Sequence, residues 1–331
     1  MKIRSTRWDD LYVRVMVRCA NICLPLYFRL TFDCPQNSIG RPRNRDEEEY
    51  IVSLTSFPAR IDKAWLAIES ILHQTVKPDR IILWLYDGEF KGRDSLPTVL
   101  LRLERRGVEI RFCRENLTPH KKYFFTMSEF PDANIITVDD DVLYPPDLMS
   151  KLKRAHDKYP RAIISCITRR IEVRNESVQP YNNWVYLSKN SPPSFGNLAI
   201  GVGGVLFPPG SLHPDVLDSV KLKELALRAD DLWLKVMAMK RQTKVASIAG
   251  EYARFFIPVI RRDDKRLMDL NIGDGQNDKV LKNLMEGYKI SPSDFENSSE
   301  KAVGIGTGSN LIDRKTSAFC RCDQTRLSHG H

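Results

Sequence analysis

The sequence has little that belongs outside a cell or on nucleic acid. Its seven cysteines, Cys19, Cys23, Cys34, Cys113, Cys166, Cys320 and Cys322, are odd in number and scattered over 331 residues. That argues against a disulfide scaffold and predicts a reducing compartment, the cytoplasm. Cys320–Arg321–Cys322 has no partner pair at zinc-ligand spacing, so ordinary tail thiols are expected there. No zinc-finger spacing and no RNA-binding signature occurs, so nucleic acid is not an expected partner. Long apolar runs are also missing. Within residues 8–32, Arg14, Arg18 and Arg29 interrupt the pattern, and the longest charge-free run is Cys19–Phe28. A spanning helix needs roughly 20 residues. No small-residue cleavage site is evident, which argues against a signal peptide. No internal repeat is present.

What is there reads as a globular chain. Hydrophobic residues at 42% and charged residues at 28% exclude wholesale disorder and a polytopic membrane protein. The net charge of +9 suits an anionic ligand such as a nucleoside diphosphate, or an acidic membrane surface. Residues 1–34 form an amphipathic N-terminal segment, in which Trp8, Leu11, Tyr12, Val15, Cys19, Ile22 and Cys23 recur at helical spacing. Arg14 and Arg18 lie one turn apart on another face. This helix either packs on the domain or lies peripherally on the inner face of an anionic membrane. Residues 35–49 are a polar linker, residues 50–290 the main domain, and residues 291–331 a Ser/Gly-rich tail expected to be disordered.

The main domain alternates strands and helices. Tyr50–Leu54, Arg80–Tyr86, Val108–Cys113, Asn134–Val138 and Ala162–Ile167 read as strands, with helices over Ala64–Leu72, Leu96–Arg106, Lys121–Phe130 and Pro146–Tyr159. Gly107 is a suitable helix stop. This order predicts an α/β, Rossmann-like, mostly parallel sheet with helices on both faces. Ligands of such sheets collect at the carboxyl ends of the strands. Residues 168–198 read as a long polar loop. Ile200–Phe207 contains a glycine-rich turn with Gly203 and Gly204, helices follow near Pro214–Leu227 and Asp230–Lys240, and Lys244–Ile248 is a last strand.

The fourth strand runs into Asp139, Asp140 and Asp141. Three adjacent carboxylates at a strand end repel one another unless a cation or strong donors compensate them. A hard divalent ion, Mn²⁺ or Mg²⁺, does so with oxygen ligands, water and substrate phosphate. The plainer alternative is a solvated acidic turn. A second acidic pair, Asp230–Asp231, opens a helix after the glycine-rich segment. Its plain alternative is a helix cap.

The order of strand, Ser56–Arg60 loop, helix and strand, followed by the Val138–Asp141 string at the fourth strand, resembles the nucleotide-sugar glycosyltransferases of the GT-A fold, family-2 type, over roughly residues 50–250. The resemblance implies a metal-dependent transferase, of hexosyltransferase type, working in glycan or cell-envelope polysaccharide synthesis. It implies a nucleotide-sugar donor and a glycan or lipid-linked acceptor. Asp139 would face the ribose or the metal, Asp141 would bind the metal, and Asp140 would assist. Asp231 would be the general base of an inverting reaction, with Asp230 second in line. Ser53, Thr55 and Arg60 would meet the nucleotide, and Asp87 would lie near the base. Lys121, in the string His120–Lys121–Lys122, would neutralise phosphate. For Asp87 an Asp-Gly turn, and for Lys121 a solvated helix start, are the alternatives. No histidine lies between His213 and His329, so a third protein ligand after the base is not expected.

Two other functions compete. A sugar-nucleotide nucleotidyltransferase would carry a glycine-rich, basic loop after the first strand, and Ser53–Arg60 has no glycine. A non-catalytic binding module on a degenerate transferase fold would have lost its acids, and here they are present. A haloacid-type phosphatase would place its acidic motif on the first strand, not the fourth.

Overall fold

The computed structural model describes residues 7–39, 47–251, 256–259 and 275–296. The cysteine pair Cys320/Cys322 and the tail beyond residue 296 lie outside these residues, as do residues 40–46 of the linker. The chain opens with α1 (Arg7–Leu30). Four strands of the central sheet follow: β1 (Tyr50–Thr55), β2 (Arg80–Tyr86), β3 (Val108–Cys113) and β4 (Asn134–Thr137). They alternate with α2 (Ile61–Leu72), α3 (Thr98–Arg102) and α4 (Lys121–Glu129). Next come β5 (Val142–Leu143), α5 (Leu148–Lys158) and β6 (Ile163–Ser165). Residues 168–199 hold the short strands β7 (Thr168–Arg170), β8 (Val173–Arg174), β9 (Ser177–Val178), β10 (Val185–Tyr186), β11 (Ser191–Ser194) and β12 (Asn197–Ala199). The last described elements are β13 (Val205–Phe207), α6 (Ser219–Ala226), α7 (Asp230–Lys240), β14 (Val245–Ser247), β15 (Ile257–Pro258) and α8 (Gln276–Tyr288).

Eight strands form one sheet in the order β11-β14-β6-β13-β4-β1-β2-β3. β1 runs parallel to β2 and β4, β2 parallel to β3, and β6 parallel to β14. β13 is antiparallel to both its neighbours, with Val205 opposite Thr137. The α/β, Rossmann-like, mostly parallel sheet expected for a GT-A arrangement is therefore present. Its strands are buried on both faces, as parallel strands between helices must be. Val52, Leu54, Leu83 and Ile136 pack on one side with residues of α2, α3 and α5. Ile51, Ile82, Trp84 and Ile135 face the other side, where Phe125 and Met127 of α4 pack against them. The period-two alternation along each strand assigns these sides.

The sequence reading needs four corrections. Residues 168–198 are not one loop, since β10-β7-β12 make a second sheet there. The expected helix at Leu96–Arg106 is α3 continued by a tight 3₁₀ turn, stopped at Gly107 with φ 90°. The helix expected from Pro214 breaks at Asp218, whose side chain accepts from the Val220 and Lys221 amides and starts α6 afresh. On α1, the residues that pack inward are Leu24 and Phe28, whereas Val15, Cys19, Ile22 and Cys23 face outward.

Candidate active site

The site is built at the carboxyl edge of β1, β2 and β4. β13 is antiparallel, so the turn before it, Gly201–Gly203, arrives at the same edge. α7 completes it. Eight consecutive α7 residues, Leu232–Met239, are buried, so the helix is held on all sides and its first turn is fixed. That first turn carries Asp230 and Asp231. The cap position itself is Ala229, which has no side-chain oxygen to offer, and the acidic pair stands just behind it.

Lys122 joins the two acidic motifs. Its Nζ lies 2.8 Å from Asp139 Oδ1 and 2.9 Å from Asp230 Oδ2, and its side chain is 6% exposed. Burial alone would lower the Lys122 pKa, but Asp139, Asp230 and Asp231 override it and hold the ammonium well above its usual range. Burial works against the Asp230 charge too, yet Lys122 and then His120 keep its carboxyl below the usual value. Asp231 behaves the opposite way. Burial first, and the Asp230 charge second, push its carboxyl well above the usual range. Its Oδ1 accepts from the Gly201 amide at 2.9 Å. A Cβ on Gly201 would come within 2.9 Å of Lys122 Nζ and 3.2 Å of Asp231 Oδ1, so the backbone approaches the pair through a residue without a side chain. Two neighbouring carboxylates driven apart, Asp230 down by Lys122 and Asp231 up by burial and the Asp230 charge, give the division of labour that acid–base chemistry needs.

The rest of the triplet is held by the β1–α2 loop. Arg60 Nη1 lies 2.7 Å from Asp141 Oδ2 and 3.4 Å from Asp140 Oδ1, and Ser56 Oγ donates to Asp140 Oδ2. The Asp139 amide donates to Tyr144 Oη at 2.7 Å, and that hydroxyl donates to the Val202 carbonyl at 3.0 Å. Tyr144 thus ties the aspartate loop to the glycine-rich turn. The carboxylates of Asp139 and Asp141 remain 29% and 22% exposed at the edge, so an ion could reach them.

Of the residues expected from the sequence, Asp139, Asp140, Asp141, Arg60, Asp230 and Asp231 converge. Three do not. Ser53 is fully buried under the sheet, where its hydroxyl bonds Thr126 Oγ1 at 2.7 Å, an atom that also accepts from Trp84 Nε1. It is a core group, and the reaching hydroxyl is Ser56. Thr55 donates to the Trp84 carbonyl at 2.8 Å, which closes the strand end. Lys121 turns away to Asn116 Oδ1 at 3.0 Å, and the basic residue of the site is Lys122. The helical repeat could have told them apart. Lys122 lies one turn before Thr126, which faces the sheet. Asp87 is exposed in the 3₁₀ turn after β2, on the same edge. His120 is buried between Tyr123 Oη at 2.7 Å and the Ala226 carbonyl at 2.9 Å, and burial lowers its pKa to about 4.

A hard divalent ion fits the donor set. The oxygens offered by Asp139 and Asp141 are the kind Mn²⁺ and Mg²⁺ take, and one or two carboxylates suffice when water and phosphate fill the shell. Among the described residues no group of three or more His, Cys, Asp or Glu side chains converges on one point.

No protein-family model and no curated protein matches the chain. Among solved structures it is similar to the mannosyltransferase PcManGT from Pyrobaculum calidifontis in complex with GDP-Man and Mn²⁺, at 15% identity and a TM-score of 0.38, covering 72% of this chain and 68% of that one. It is also similar to a 4-diphosphocytidyl-2C-methyl-D-erythritol synthase, at 10% identity and 0.38, covering 68% and 100% of the two chains. A UTP-bound UGPase from Acinetobacter baumannii stands at 10% and 0.36, covering 72% and 93%. Likenesses this distant carry no argument about chemistry, which has to come from the site.

Proposed function

We propose that this protein is a metal-dependent glycosyltransferase. It moves a sugar from a nucleoside-diphosphate sugar to a hydroxyl acceptor, with inversion, in glycan or cell-envelope polysaccharide synthesis. The observation that carries this reading is the Lys122 bridge, which brings the aspartate edge and the Asp230–Asp231 pair into one site.

Asp231 is the base. Its raised proton affinity, from burial and from Asp230, suits a group that must take a proton from an alcohol. As the acceptor oxygen forms its bond to the anomeric carbon, its proton passes to Asp231 and the bond to the diphosphate oxygen breaks. One base on one side of the sugar gives inversion. Asp230 stays ionised against Lys122 and raises the proton affinity of its neighbour. Arg60 and Ser56 hold Asp140 and Asp141 in place, and Arg60 offers a cation beside the expected phosphates. Asp139 and Asp141 are the residues that would hold Mn²⁺ or Mg²⁺, whose chemistry here is to stabilise charge on a departing diphosphate.

The test is a panel of nucleotide sugars with Mn²⁺, with released nucleoside diphosphate as readout. The expected result is release from at least one donor in the presence of a hydroxyl acceptor. Pyrophosphate release from a nucleoside triphosphate and a sugar phosphate would favour the nucleotidyltransferase instead.

A further inference from the structure

We propose that the outward face of α1 docks on an anionic membrane. Eight large apolar side chains are exposed among the described residues, and six of them lie on this one helix: Val15, Met16, Ile22, Leu26, Tyr27 and Leu30. Ile22 is 65% exposed and Leu30 86%. At 3.6 residues per turn these six fall within about 140° of arc. Arg14, Arg18 and Arg29 are exposed together along one border of that stripe. The opposite face is taken. Phe28 is buried against His73, with ring centroids 4.9 Å apart, and the Asn21 amide donates to the Pro258 carbonyl at 2.9 Å.

Charge selects the occupant. Residues 13–30 contain three arginines and no Asp or Glu. A second copy packed on this stretch sets arginine against arginine, and the only acids of the helix, Asp9 and Asp10, sit at its far N-terminal end. An anionic leaflet accepts both features, the apolar stripe at the acyl boundary and the arginines among the headgroups. No described helix is long and apolar enough to cross a membrane, so α1 lies on the surface.

The helix also fixes where the site sits. Pro258 of β15 pairs with Val142, and the Val259 amide donates to the Asp141 carbonyl at 2.8 Å. One hydrogen-bonded strand therefore links α1 to the aspartate edge. Docking α1 holds that edge in a set position relative to the lipid, an arrangement suited to an acceptor carried on a lipid.

The experiment is co-sedimentation of the full chain with vesicles of phosphatidylcholine alone or mixed with phosphatidylglycerol. Binding is expected only to the anionic vesicles, and it falls as salt rises. Each of Arg14→Gln, Arg18→Gln and Arg29→Gln weakens binding roughly fivefold. The double variant Ile22→Glu/Leu26→Glu abolishes it, while circular dichroism shows the fold unchanged. Failure of the wild-type chain to bind, or equal binding by the double variant, overturns the proposal. So does a wild-type dimer that the double variant splits, because the face then belongs to a second copy. Vesicle binding is read without turnover, so its failure and that of the transferase reading are separate results.

Discussion

Replacing Lys122 with methionine removes the ammonium that stands between Asp139 and Asp230 and keeps most of the side-chain volume. Removing one partner of a buried ion pair costs about 3–5 kcal/mol, because the other charge is left uncompensated. The Asp230 and Asp139 side chains are 15% and 29% exposed, which places the cost near the lower end, about 3 kcal/mol. The pH dependence follows from the direction of the Asp230 shift. With Lys122 present its carboxyl lies below the usual range, so it contributes stability above the unfolded carboxylate value of about 3.9 and loses it as pH falls through the folded value. Without Lys122, burial raises the carboxyl, and the variant loses stability as pH rises through the new value. Urea denaturation of metal-free protein at pH 7 and near pH 4 reads both. The gap between wild type and Lys122→Met is expected to be full at pH 7 and to shrink toward pH 4. A gap under about 1 kcal/mol at pH 7, in the range of an exposed pair, would refute the reasoning, as would a gap of equal size at both pH values.

Chelation by EDTA is expected to abolish donor turnover and Mn²⁺ or Mg²⁺ to restore it, while Asp141→Asn loses metal-dependent donor binding with its fold intact; full activity in excess chelator refutes the metal site. The two serines separate by measurement. Ser53→Ala should cost about 1 kcal/mol of stability, the worth of a hydrogen bond, with KM for the donor unchanged. Ser56→Ala should raise that KM and also cost about 1.5–3 kcal/mol, because the buried Asp140 carboxylate loses a donor; a raised KM in Ser53→Ala with an unchanged one in Ser56→Ala would return Ser53 to the site.

Much of the fold was legible because central parallel strands are apolar on both faces. The runs at Tyr50, Arg80, Val108 and Asn134 gave β1–β4 nearly to the residue. The aspartates were legible because acids rarely end such runs without a purpose. What the sequence hid was direction and side. β13 reads like any short apolar strand, and nothing local shows that it runs antiparallel. Ser53 and Ser56 differ by whether the residue lies within the pleat or beyond its end, and Thr55 is the last strand residue. Lys121 and Lys122 are neighbours in sequence but about 100° apart around a helix, so one reaches the site and the other Asn116. The outward stripe of α1 was visible as helical spacing, but only the packing of Phe28 and Asn21 shows which face is free.

The central claim is that Asp231 accepts the proton in a site whose donor pocket does not depend on it. The most direct measurement is Asp231→Asn, taken through calorimetric donor binding and steady-state rates on the same preparation. Asparagine keeps an oxygen for the Gly201 amide, so the local hydrogen bond survives. Donor affinity is expected to stay near wild type while kcat falls by roughly 10²–10⁴, the usual contribution of general acid–base catalysis. That corresponds to about 3–5 kcal/mol of transition-state stabilisation. A variant that binds the donor and turns over at the wild-type rate would contradict the account and place the base elsewhere.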